Sequence, residues 1–151
     1  MFTFWLIAFL YKQMKIRVRS VIIKDNKVLL IKRTQKDSIY WVIPGGGVEK
    51  NETNEEALMR ECEEELGVKI KINSLLLEIL SQKSETAGQK ELFYLCNIIG
   101  GVLGSGQGPE FKQNSSYVGG YNIEWRNIDD FKKIDLKPEE IKDLICKKYK
   151  N

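Results

Sequence analysis

The sequence predicts a mixed α/β (α+β) fold, a β-sheet packed by helices, and three observations predict it. Strand-like runs come first, one helix-like run sits in the middle, more strand-like runs follow, and a last helix-like run closes the chain. The apolar period moves from two to 3.6 only at those two helical runs. Neither a repeat nor a linker long enough to divide the chain is present, and 151 residues with 42% hydrophobic and 30% charged content suit one domain with its own core.

The chain opens on "MFTFWLIAFLYKQMK". About ten apolar residues fall short of the roughly 20 that span a bilayer, and no basic n-region or small-residue cleavage site frames them. Stable membrane insertion and secretion are therefore not expected. Met14 opens a strand-like run, so residues 1–13 read first as an upstream extension from a mis-assigned start. Their second reading is a short membrane- or partner-docking helix. The domain proper reads as 14–151.

"IRVRSVII" alternates apolar and polar residues and then turns continuously apolar, which predicts a strand. Asp25-Asn26 suits a tight hairpin, and "VLLIKR" returns as the second strand. "IYWVI" is a further short strand, halted by Pro44 and three glycines, which read as a turn. A helix follows Thr53. "VKIKINSLLLEILSQ" and "ELFYLCNIIGG" are two strands around the polar turn "KSETAGQ". The segment "VLGSGQGPEFKQNSSYVGG" is loop-like, "YNIEWRNI" is a last strand, and "KPEEIKDLICKKYK" is a closing helix with Pro138 in its first turn.

Composition narrows the chemistry. A formal charge of +3 does not call for a nucleic-acid partner. The chain has no histidine, so histidine triads, histidine-ligated zinc and histidine bases are excluded. Cys62, Cys96 and Cys146 are odd in number and not at metal-ligand spacing, which fits a reducing, cytoplasmic setting. Proton transfer and metal binding fall to carboxylates, Lys, Tyr, Cys or backbone carbonyls.

The carboxylates are concentrated. Gly46–Val68, "GGVEKNETNEEALMRECEEELGV", holds eight glutamates against Lys50 and Arg60, although the chain as a whole is basic. Thr53 and Glu56 form a capping box that starts a helix, and Gly67 ends it after Leu66. With Glu61 at zero, 100° per residue puts Glu65 at about +40° and Glu64 at about −60°. Leu58, Met59, Cys62 and Leu66 fall between about +60° and +160°. Ala57, at about −40°, leaves room for a loop or ligand. The helix therefore carries an apolar stripe for the sheet and a carboxylate stripe beside it.

Like charges at 4 Å repel by about 4 kcal/mol at an effective dielectric near 20. Only Arg60 is adjacent to relieve that. A hard divalent cation would relieve it, and Mg²⁺ takes oxygen ligands while keeping waters and substrate phosphates. The plainer alternative, a solvated glutamate-rich helix, stands beside this reading. Glycines just before the helix add weight to the first, because backbone there can approach a ligand with a free carbonyl or free N–H groups.

The same residues resemble the Nudix box, G-x5-E-x7-R-E-U-x-E-E-x-G-U, with U a bulky apolar residue. Gly46, Glu52, Arg60, Glu61, Glu64, Glu65, Gly67 and Val68 match in identity and spacing. Cys62 departs from the usual Ile, Leu or Val. The likeness extends over most of Met14–Tyr149 and does not cover residues 1–13. It implies a Nudix fold and Mg²⁺- or Mn²⁺-dependent hydrolysis of a nucleoside diphosphate linked to another group.

By position, the resemblance implies that Glu64 and Glu65 are metal ligands, with the Gly45 carbonyl a third and Gly46 at the substrate. It implies that Glu61 helps bind metal or activate the water, that Arg60 orients Glu61, and that Glu52 supports them. Which glutamate is the base stays open. Glu110 in "GQGPEF" is the candidate for a further acid, with an ordinary exposed loop acid as its equal alternative. Cations should hold the phosphates. Arg33 is the first candidate and Arg19 the second, each with an alternative as a solvent-facing strand residue.

For a base, Tyr40, Trp41, Phe93, Tyr117 and Trp125 are available, the two tryptophans more in keeping with core packing. Lys83 stands where many ADP-ribose hydrolases have proline. Ser84, Glu85 and Thr86 stand where dinucleoside polyphosphate hydrolases have tyrosine, and the coenzyme A signature is missing. Nucleoside di- or triphosphates remain by elimination. The partner is then a small nucleotide, and a homodimer is allowed without being required. The rival function is a nucleotide-sensing module without catalysis, against which stands the presence of every box glutamate.

Overall fold

The computed structural model describes residues 3–7, 15–80, 88–106 and 120–150. Residues 3–7 are helical, with Phe4 and Trp5 83% and 78% exposed. The predicted turn around Lys83–Thr86 and the loop holding Glu110 and Tyr117 lie outside the described residues.

Eight strands form a mixed sheet. They are β1 (Ile16–Lys24), β2 (Lys27–Gln35), β3 (Ser38–Val42), β4 (Gly45–Gly47), β5 (Val68–Leu80), β6 (Lys90–Gly101), β7 (Gly120–Asn127) and β8 (Leu136–Lys137). Beyond the helical residues 3–7, the described residues include two α-helices, α1 (Asn54–Leu66) and α2 (Glu139–Tyr149), and a 3₁₀ segment at Ile128–Lys133. The main strand order is β5-β6-β1-β2-β3-β8, with β4 on β1 and β7 on β2.

β1 organises the sheet. It runs parallel to β6 from Ile16 to Ile22, pairs antiparallel with β4 along its first half, and passes to β2 only at its end. The hairpin to β2 turns on Asp25 and Asn26, both at positive φ, as a two-residue turn of that composition should. The strand alternation then sorts side chains to two cores. Val18, Ile22, Leu29 and Ile31 pack under α1 with Leu58, Cys62 and Leu66. Val21, Leu30, Ile43 and Phe93 pack with Phe131, Ile141 and Ile145 on the α2 side. Each fully buried Leu, Ile or Phe contributes about 1.5–3 kcal/mol.

Four expectations are corrected here. The glycine run is a strand, held by β1. Glycine carries no strand signal of its own, and only the tertiary partner makes it one. Pro138 precedes α2 as its N-cap residue and is not within its first turn. The buried arc of α1 runs through Ala57, Leu58, Cys62, Glu65 and Leu66, and Met59 is 43% exposed. Helix α1 thus sits rotated toward its acids by about half the width of the predicted stripe. Ala57 is fully buried in the core and leaves no room for a ligand.

The cysteines follow from this packing. Burial pushes the Cys62 and Cys96 thiols up to about 12, while Cys146 is only partly buried. A thiolate-selective reagent at pH 8 should modify Cys146 in the native protein and all three thiols after denaturation. Fast native labelling of Cys62 would refute this packing.

Candidate active site at the glycine strand and helix α1

Helix α1 begins where the sequence predicts. The Thr53 hydroxyl accepts the Glu56 N–H at 3.1 Å, and Gly67, with φ 77°, closes the helix by donating to the Cys62 and Glu63 carbonyls. These caps fix the rotation and register of the glutamates over β4.

β4 accounts for the close approach. Its register, Val18 opposite Gly46 with the Val48 N–H on the Ile16 carbonyl and the Ser20 N–H on the Pro44 carbonyl, makes Gly46 a bonded partner of β1. Gly45 and Gly47 are then the alternate, non-bonded pairs, so their N–H and C=O groups point away from β1. The Gly45 N–H donates to Glu65 Oε1 at 3.1 Å, and this bond is buried. That N–H is consequently not free for a phosphate, while the Gly45 carbonyl faces the same side as Glu65. The Glu61 carboxylate lies against the α-carbon of Gly46, where a Cβ would overlap it. The acids on the buried arc of α1 fit because the strand beneath them has no side chains.

Arg60 is the hub of the cluster. Its Nε and Nη2 donate to the two oxygens of Glu52 at 2.7 and 2.9 Å, a bidentate pair. Nη1 donates to Glu61 Oε1 at 3.1 Å and Glu64 Oε2 at 3.2 Å, and Nη2 also reaches the Gly47 carbonyl at 3.0 Å. The charge crowding is thus relieved in this structure by one arginine touching three carboxylates, more than adjacency in sequence suggested. Sequence reasoning assigned Arg60 to Glu61. The bond to Glu64 is an i,i+4 pair within α1, and the bond to Gly47 depends on how the loop folds back over the helix.

The fork on Arg60, helped by the Glu49 N–H, holds the Glu52 carboxyl down at about 2, against an ordinary value of 4.5. A lowered carboxyl contributes stability that is present above its unfolded pKa and is lost as pH falls through the folded one. Urea unfolding midpoints should therefore decline between about pH 4.5 and pH 2, and Glu52→Gln should flatten that decline. An unchanged profile in the variant would remove Glu52 from this role.

Cavity and arginines complete the neighbourhood. A cavity of about 610 Å³ lies next to the start of β4, lined among others by Arg19, Val42, Ile43, Glu91, Phe93 and Glu139. Arg19 donates from Nε to Glu91 at 3.1 Å and from Nη1 to the Ile43 carbonyl at 3.2 Å. It is therefore a paired wall residue and not the solvent-facing residue of its alternative reading. By strand alternation Arg33 shares the α1 face with Leu29 and Ile31, and its guanidinium lies 5.3 Å from the Tyr121 ring. Arg19 is on the opposite face with Val21. The structure brings Glu52, Arg60, Glu61, Glu64, Glu65, Gly45 and Gly46 together, and it puts Arg33 and Arg19 on different faces of the sheet. Phe93 is fully buried, so it cannot stack on a base. Trp41 donates its Nε1–H to Glu124 at 3.0 Å, and Trp125 packs against the α1 core.

For a divalent ion the donor chemistry fits: carboxylates and one outward carbonyl, all hard oxygen. Among the described residues no three acids converge on one point, because Glu61 and Glu64 are turned to Arg60. Glu64 has the freedom to turn back, its side chain being 45% exposed.

Comparison with known proteins identifies the family. The model of the NUDIX domain matches residues 14–145. The chain is 40% identical over 101 residues to an ADP-ribose pyrophosphatase of Methanocaldococcus jannaschii, covering 64% of this chain and 59% of that protein. It is 35% identical over 124 residues to putative nudix hydrolase 1 of Caenorhabditis elegans, covering 80% of this chain and 30% of that protein. It thus spans less than two thirds of both relatives. The nucleoside triphosphatase NudI of Escherichia coli K12 is 29% identical over 130 residues, covering 82% and 89%. Among solved structures, a MutT NUDIX hydrolase from Burkholderia pseudomallei is 26% identical with a TM-score of 0.61, covering 76% and 84%. An ADP-ribose pyrophosphatase from Streptococcus suis shares the fold at 18% identity, with a TM-score of 0.64 and coverage of 92% and 94%.

Proposed function

Since the chain belongs to the NUDIX domain family, we propose that it is a divalent-metal-dependent pyrophosphohydrolase acting on a nucleoside diphosphate linked to another group. The observation that carries this reading is the seating of the Glu61 and Glu65 carboxylates on the side-chain-free β4, beside the outward Gly45 carbonyl. An acidic helix that was only solvated would have no use for such a seat.

Glu61, Glu64, Glu65 and the Gly45 carbonyl are the residues that would hold Mg²⁺ or Mn²⁺. Such an ion, when bound, lowers the pKa of a water and screens phosphate charge. The chain's own residues do the rest. Arg60 fixes the Glu61 carboxylate from one side while Gly46 supports it from below, so its oxygens are held for a proton or a ligand. Glu52 locks Arg60 in place. Glu110 is proposed as a further acid from the loop. The cavity beside Val42 and Ile43 takes the nucleoside or the group joined to the diphosphate.

Nucleoside di- and triphosphates are the first substrates to test, on the sequence grounds above and the name of the NudI relative. ADP-ribose is the second, on the name of the archaeal relative. Three free cysteines fit work in the reducing cytoplasm. Among the described residues no helix is long and apolar enough to cross a membrane.

A panel of nucleoside triphosphates, nucleoside diphosphates and ADP-ribose should be assayed for phosphate or pyrophosphate release, with Mg²⁺ and with EDTA. At least one compound should be cleaved at the anhydride, and EDTA should abolish it. Tight binding of a nucleotide with no cleavage under any metal would instead favour the sensing module.

A further inference from the structure

The guanidinium groups around β4 are not equally satisfied. Arg60 has Glu52, Glu61, Glu64 and the Gly47 carbonyl. Arg19 has Glu91 and the Ile43 carbonyl. Arg17, two residues before Arg19 and on the same face of β1, makes no side-chain hydrogen bond or ion pair among the described residues. Its Nε is buried with no acceptor. An unmade bond at a buried polar group costs about 1–3 kcal/mol, and more for a charged one. Glu91, its cross-strand neighbour on β6, is already bonded to Arg19.

The surroundings indicate what Arg17 awaits. Glu91, Glu61 and Glu65 all act on it electrostatically, so its charge lies within the field of the α1 acids. Burial, and then the like charge of Arg19, push its pKa down. Across the ladder it faces Gly47, where a Cβ would meet nothing within 4 Å. Space for a ligand thus adjoins a guanidinium whose Nε has no acceptor among the described residues, at the edge of the carboxylate site.

We propose that Arg17 is the arginine that holds the substrate's diphosphate, the outer edge of its guanidinium taking a phosphate oxygen. This rests on the reading of the site as one for nucleoside diphosphates. It assigns to Arg17 the task that the sequence suggested for Arg33 or Arg19. Arg19 is already committed to the cavity wall, and the Arg33 guanidinium, on the α1 face, lies over the Tyr121 ring. A planar fork suits two oxygens of one phosphate better than an ammonium does.

The test measures binding, not turnover. Inorganic pyrophosphate is titrated with Mg²⁺ and with EDTA into wild type, Arg17→Gln and Arg17→Lys by calorimetry. Arg17→Gln should weaken binding about 10- to 100-fold, the worth of a charge-assisted bond. Arg17→Lys should weaken it by a smaller factor, with thermal midpoints unmoved. Wild-type affinity in Arg17→Gln overturns the proposal. Should that variant fail to fold, the Nε–Hε NMR signal of Arg17 in the wild type, identified by its loss in Arg17→Lys, decides. A shift that saturates with pyrophosphate supports the assignment, and a stationary signal overturns it. Pyrophosphate binding through Arg17 without hydrolysis of any nucleotide would defeat the enzymatic reading and leave this one standing. Turnover with unaltered binding in Arg17→Gln would do the reverse.

Discussion

Glu64→Gln is expected to lower kcat by about 10²- to 10⁴-fold, the range for losing one positioned proton-transfer or charge-bearing group, while leaving the fold intact. The side chain is 45% exposed and accepts a hydrogen bond from Arg60 Nη1 at 3.2 Å. An amide of the same shape keeps the helix propensity and most of the packing. What it loses is the negative charge that Arg60 and a divalent ion would both use.

Glu61 is a less clean target, because its carboxylate is wedged between Arg60 and Gly46 and its loss also disturbs the seat. The comparison therefore has diagnostic value. Glu64→Gln should retain the wild-type circular dichroism spectrum and thermal midpoint and lose turnover, and raising Mn²⁺ should restore only part of it. Activity within threefold of wild type would remove Glu64 from the reacting centre.

Gly45→Ala should be the most destabilising single substitution near the site. The residue sits at φ 151°, and a Cβ there would run into the Val18 carbonyl and the Arg19 α-carbon. Those atoms belong to the backbone of β1 and cannot yield without opening the β1–β4 ladder. Strain of that kind costs more than about 3 kcal/mol, or roughly 10 °C in thermal midpoint for a chain this size. The neighbouring glycines give the contrast. A Cβ at Gly46 would first meet the Glu61 carboxyl, the far end of a side chain, so Gly46→Ala should keep the fold and displace a functional group. A Cβ at Gly47 would meet nothing, so Gly47→Ala should be stable. Thermal melts of the three variants would check the order. A Gly45→Ala protein as stable as Gly47→Ala would contradict the β4 register.

Interactions within a few residues were readable. Thr53, Glu56 and Gly67 mark the ends of α1 because capping bonds span three or four positions. Glu61, Glu64 and Glu65 share a side because helical geometry is local. Asp25 and Asn26 mark their turn for the same reason. From such terms alone the residues show a strand-first mixed fold and a carboxylate-bearing helix of Nudix spacing.

The rest needed the chain to close on itself. "GGG" becomes a strand only because Arg17–Arg19, about thirty positions earlier, offers an unpaired edge. That strand, having no side chains, lets α1 settle with Glu61 and Glu65 on its buried arc, where periodicity alone favoured Met59. Arg60 appeared in the sequence as one of two bases among eight acids, and folding made it the hydrogen-bond partner of Glu52, Glu61 and Glu64 and an ion-pair partner of Glu49. Arg17 and Arg19 look alike in "RVR", yet only Arg19 meets Glu91 and a carbonyl, because hydrogen-bond satisfaction depends on which donors and acceptors reach each other in space. The sequence by itself determined which groups the site contains, and the tertiary structure decided which of their charges are already spoken for.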